Sequence, residues 1–144
     1  MYGRCPLTIR RKNVINTYEA YLNHPKGNIL KIEDAMDIYK RLAECIGKCT
    51  VEDKMDFWND FLKRAAKYTN VRNEWEHMTL EEKLETDHSR SCVHDGFIMS
   101  LNVLARLAEA EGLDTSWRDD LGSDRKRIGD FGCFVTYITG ISNR

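Results

Sequence analysis

A chain of 144 residues, 42% hydrophobic and 31% charged, has the balance of one folded domain spanning residues 1–144. A formal net charge of −1 argues against the strongly basic footprint of a protein that coats nucleic acid. No run approaches 18 uninterrupted apolar residues, so no membrane span is expected, and the polar, basic start does not read as a signal peptide.

Helix signals run along nearly the whole chain. Only Pro6 and Pro25 are present, so no proline bars a helix beyond residue 25. A first helix is predicted over residues 7–23, with Ile15, Tyr18 and Leu22 at helical spacing and Pro25 as its stop. A second is predicted over residues 30–46. Ile32, Met36, Tyr39, Leu42, Ala43 and Ile46 form its apolar stripe, and Gly47 follows as a natural terminator. Thr50 with Asp53 resembles a capping box opening a third helix. Val51, Met55, Trp58, Phe61, Leu62 and Ala65 would be its buried stripe, and it should end near Tyr68, with a short turn around Trp75.

Thr79 and Glu82 form a full capping box for the fourth helix, which can run to Glu111 before Gly112. Polar crowding between Glu85 and Ser91 predicts a bend or break there. Residues 113–123 read as a loop with one turn around Trp117. Asp124–Thr139 is the last element. Phe134–Thr139 has strand propensity, but Ile128, Phe131, Phe134, Val135 and Ile138 fit the helical period over a longer window. Gly129 and Gly132 inside it point to close packing against another helix. The expected class is therefore all-α, a compact bundle of five to six helices.

Two short basic runs, Arg4 with Arg10–Lys12 and Arg125–Arg127, read as solvated faces. Five cysteines, Cys5, Cys45, Cys49, Cys92 and Cys133, are odd in number and irregular in spacing, and read as free thiols in a cytoplasmic protein. Cys45 with Cys49 and His88 with Cys92 are each four apart. Together they match no familiar zinc pattern, so no metal or cofactor is expected. His88 could activate the Cys92 thiol, although a free cysteine is more often a buried structural residue.

The densest unusual polar content lies between Glu81 and Arg106. On a helix, Asp87, Arg90, His94, Asn102 and Arg106 share one broad face with Ile98. The ordinary reading is a buried hydrogen-bonded network that fixes helix register. The functional reading is a site for a small anionic ligand or nucleotide, built on Arg90 and His94. His77, His88, His94 and Asp95 superficially resemble the metal-dependent HD phosphohydrolases. Glu81, Glu82 and Glu85 with Glu111 and Asp114 look like the acidic motifs of all-α nucleotide pyrophosphatases. The helix N-terminus explains Glu81 and Glu82 equally well.

Arg90, His94, Phe97, Ile98, Asn102, Leu104 and Arg106, followed by Trp117–Leu121 and Arg127–Phe131, together resemble an uncharacterised domain family of small bacterial and phage proteins. That resemblance covers about the C-terminal 60 residues and implies a bacterial or phage cytoplasmic origin. It brings no activity with it. The function expected is a small helical binding or regulatory module with a protein partner, a second copy in a homodimer included. The alternative is a hydrolase acting on a phosphorylated small molecule or nucleotide.

Overall fold

The computed structural model describes residues 29–75 and 77–140. The helix expected over residues 7–23, the Pro25 turn, the first basic run and Cys5 lie outside the described residues. Among those described there are five helices and no strand: α1 (Ile32–Lys48), α2 (Lys54–Trp75), α3 (Leu80–Ala110), α4 (Ser116–Leu121) and α5 (Arg125–Thr139). The fold is all-α. α2 is central and packs against both α3 and α5, while α4 packs on α1.

α1 carries Glu33 and Asp34 in its first turn and Lys48 in its last, which suits the helix dipole. Its buried arc is Ala35, Ile38, Tyr39, Leu42, Cys45 and Ile46, so Ile32, Met36 and Ala43 of the expected stripe sit at the margin of the core. Gly47 lies within the helix, not beyond it. The carbonyls of Gly47 and Cys49 accept from Lys54 Nζ at 2.9 Å each, and this ammonium replaces a glycine cap.

α2 departs from expectation at both ends. It starts at Lys54, and the capping box is not formed: the Thr50 N–H, which Asp53 would accept from, goes to Glu111, as does the Thr50 hydroxyl proton. Met55 accordingly falls in the exposed first turn, at 43% exposure. α2 then runs past Tyr68 and Asn70 to Trp75. Arg72 on these extra two turns is buried and bonded to Asp130 on α5, so a tertiary anchor overrides the weak local helix signal.

α3 opens at the predicted capping box, with Glu82 N–H to Thr79 Oγ1 at 3.2 Å and Thr79 N–H to Glu82 Oε1 at 2.9 Å. It is unbroken over 31 residues. The expected interruption between Glu85 and Ser91 is absent. This stretch holds no Pro or Gly, the Thr86 hydroxyl donates back to the Glu82 carbonyl at 2.8 Å, and Lys83 and Arg90 both lie over the Trp75 ring. Gly112, at φ 71°, turns the chain away after the helix.

Asp124 caps α5 through the N–H groups of Lys126 and Arg127. Residues 134–139 are helical, as the longer period requires, and Gly140 at φ 68° ends the helix. Both internal glycines face a ring. A Cβ on Gly129 would meet Tyr68 Cζ at 3.0 Å, and one on Gly132 would meet Phe97 Cε2 at 3.1 Å. A chain of ring contacts crosses the core from Tyr39 through Trp58, Phe61 and Phe97 to Tyr68, with centroids 5.5–6.3 Å apart.

Candidate functional site

The five polar residues singled out on α3 do not close into one cluster. Asp87 and Arg90 approach to 3.7 Å at the surface, with Asp87 62% exposed. The Arg90 guanidinium lies 4.4 Å from the centroid of the Trp75 ring. Asn102 turns the other way and accepts from Arg118 Nε on α4 at 2.8 Å. Arg118 also donates to the Gly122 carbonyl, so Asn102 fixes the α4 corner. Arg106 is exposed.

His94 is the buried member, 5% exposed, and it extends the aromatic chain by stacking on Tyr68 at 4.7 Å and 25°. Burial lowers its pKa to about 4. The charges of Arg125 and Arg90 act in the same direction, and a hydrogen bond with the Arg125 backbone opposes them. A neutral imidazole follows at ordinary pH. His94 Nε2 and Arg90 Nε are both buried without a hydrogen-bond partner among the described residues. His94 thus belongs to the packed side of α3, and Asp95 beside it pairs with Arg125 at 2.8 Å.

Sequence reasoning missed the most buried charge altogether. Asp130 is fully buried, and its carboxylate accepts four hydrogen bonds: from Arg72 Nη2 at 2.7 Å, Lys126 Nζ at 2.9 Å, and the N–H groups of Ile29 at 2.7 Å and Leu30 at 3.2 Å. Burial alone would push this carboxyl up. The bonds from Lys126 and Arg72, with the Arg72 charge, outweigh that and hold it below the ordinary carboxylate range. All four acceptor positions are filled, which makes the group a clasp between the start of the described chain, α2 and α5. Its only sequence signal was an aspartate inside an apolar helical stripe, four residues after a lysine.

In the basic run Arg125–Arg127, Arg125 is half exposed, as a solvated face requires, while Lys126 and Arg127 are partly buried, and each side chain has a partner. Arg125 pairs with Asp95, Lys126 with Asp130, and Arg127 donates to the Leu121 and Asp120 carbonyls. Glu111 accepts from the Thr50 and Val51 backbone and from the Thr50 hydroxyl, at 2.9–3.2 Å, which ties the α1–α2 connection to the end of α3. Those hydrogen bonds, led by the Thr50 N–H, lower the Glu111 carboxyl. Glu81 and Glu111 stand about 45 Å apart at opposite ends of one helix at 1.5 Å per residue. The two acidic stretches therefore do not face each other as paired pyrophosphatase motifs require. Among the described residues, no three or more His, Cys, Asp or Glu side chains converge so as to hold a metal ion.

What remains open to solvent is the first half of α3. Nothing on it is buried before His94. Leu80 and Leu84, one turn apart, are 74% and 73% exposed, and Met99 further along is 67% exposed. Glu81, Glu82, Glu85 and Asp87 surround the two leucines. No helix among the described residues is long and apolar enough to cross a membrane. No protein-family model, no curated protein and no solved structure matches the chain.

Proposed function

We propose that the protein is a helical protein-binding module and that the exposed half of α3 is its docking face. The observation that carries this reading is the pair Leu80 and Leu84, each about three-quarters exposed on a helix that is rigidly started and braced. Isolated exposed leucines are ordinary on protein surfaces. Two on adjacent turns of a projecting helical arm form an i, i+4 anchor of the kind that enters a partner's apolar groove. The arm is pre-organised by the Thr79–Glu82 capping box and by Lys83 and Arg90 over Trp75, so little ordering entropy is lost on docking. The acidic residues around the leucines favour a partner surface with basic groups at its rim.

The test places a photo-crosslinking residue at Leu84 and, as a control, at the exposed Lys63 on α2, in cells that express the full chain. A discrete cross-linked protein at position 84 and none at 63 is the expected result. Equal or absent cross-linking at both positions overturns the reading.

A further inference from the structure

We propose that the occupant of the α3 arm is a basic amphipathic helix of another protein, and that Asp87 decides which helices the arm accepts. The proposal rests on the reading of α3 as a docking face and names the partner's chemistry. Leu80, Leu84 and Asp87 follow one another at steps of four and three. At about 100° per residue, Leu84 lies about 40° to one side of Leu80 and Asp87 about 20° to the other. The three side chains form one strip, about 10 Å long at 1.5 Å per residue. The same alternation of steps continues through Ser91 and His94 to Ile98 and Leu101, where the strip enters the core. Alternating steps of three and four are the pattern of a seam between two packed helices. A straight helix drifts about 20° per heptad against such a seam, so on the arm the strip has turned away from α2. Lys83 and Arg90 take the α2 side there, over the Trp75 ring. Leu80, Leu84 and Asp87 are each more than half exposed, and no helix among the described residues covers them.

Asp87 stands inside this strip and not at its rim. Arg90 is 3.7 Å away, beyond hydrogen-bond reach, and its guanidinium is held over Trp75. A helix laid on the two leucines takes water from the Asp87 carboxylate. An apolar residue opposite leaves it a desolvated, unpaired charge, an acidic residue repels it, and Lys or Arg pairs with it. A single charged residue in an otherwise apolar seam thus selects both register and partner. Glu81, on the open flank of the leucines, asks for the same charge. Lys83 and Arg90, on the flank beside α2, repel it, so the cations of the incoming helix belong opposite Asp87 and Glu81. Two copies of this chain laid arm to arm place both Asp87 carboxylates in one seam, and the strip itself carries no cation to pair them. A nucleic acid or an anionic lipid surface meets the same repulsion.

The probes are three labelled amphipathic peptides of about 20 residues, long enough to hold a helix. Each has leucine at every seam position but the central one, which is Lys, Ala or Glu, and they are otherwise identical. Fluorescence anisotropy with the full-length chain reads their affinities. The Lys peptide should bind the wild type at least about tenfold more tightly than the Glu peptide, with Ala between them. Asp87→Lys should reverse that order, and Leu84→Glu should abolish binding of all three. Both substitutions fall at exposed positions, so the fold is retained. Equal affinities for the Lys and Glu peptides, or an order unchanged in Asp87→Lys, overturn the proposal. No peptide binding, in a chain that still cross-links a partner at position 84, overturns the basic helix and leaves the docking face standing. Loss of both removes the docking reading as well. A dimer of the chain alone by sedimentation equilibrium, lost in Leu84→Glu, makes a second copy the occupant and overturns the proposal.

Discussion

The two halves of α3 differ more from each other than most helices in the bundle do. From His94 to Ala108, seven residues are buried, and the helix is held by packing against α2 and α5. From Leu80 to Val93 none is buried, and the helix is held by its cap, its side-chain contacts to Trp75 and its own propensity. One continuous hydrogen-bonded rod thus joins a structural half to an arm whose exposed surface is free for other contacts. A polar sequence can be helical for two reasons, and only burial tells which applies. The charged pairs follow the same division. Arg72–Asp130 joins α2 to α5 inside the core, and Asp87–Arg90 is on the exposed arm.

The largest expected effect comes from breaking the buried pair. Asp130→Ala removes the carboxylate partner of the buried Arg72 guanidinium and frees two backbone N–H groups, and should cost about 3–5 kcal/mol by urea denaturation. Asp87→Ala, on the arm, should cost about 0–1 kcal/mol. Equal costs would erase the distinction between the packed core and the arm.

Protonation of His94 sharpens the comparison. Its folded pKa of about 4 lies below the ordinary 6.5, so the unfolded chain binds more protons between those values. Stability from this group is fully present above pH 6.5 and is lost as the pH falls towards 4, by about 3 kcal/mol at 1.36 kcal/mol per pKa unit. Urea curves of the wild type at pH 7 and 4.5 should show this loss. His94→Phe, which keeps an aromatic ring against Tyr68, should flatten that part of the profile.

Smaller effects are expected at the glycines. Gly129→Ala presses a methyl group against Tyr68, and overpacking of this kind costs about 1–3 kcal/mol. Gly47→Ala meets nothing within 4 Å in the last turn of α1, and should stabilise by up to about 1 kcal/mol. A thermal melt of each variant gives opposite signs if the close approach to α2 is real. The most local change belongs to Thr79→Ala. Loss of this cap is worth about 1 kcal/mol. It should appear as faster hydrogen exchange at the start of α3, while amides from His94 onward keep their protection. Equal loss along the whole helix would mean that the arm and the packed half unfold together.

The sequence by itself determined the all-α class, the capping box at Thr79, the start of the last helix near Asp124, the helical state of residues 134–139, and the need for close packing at Gly129 and Gly132. Each is a local matter of period, capping chemistry or backbone freedom. Tertiary structure decided the rest. α2 continues to Trp75 because Arg72 finds Asp130, and the Thr50 N–H goes to Glu111 and not to Asp53. Arg90, His94 and Asn102 share a helical face in sequence, yet each binds a different neighbour: Trp75, Tyr68 and Arg118. Spacing along one helix places side chains on a face, but only the surrounding elements decide which are buried. Asp130 is buried for the same reason: of its partners only Lys126, one helical turn before it, is local, and no sequence pattern links it to positions 29, 30 and 72.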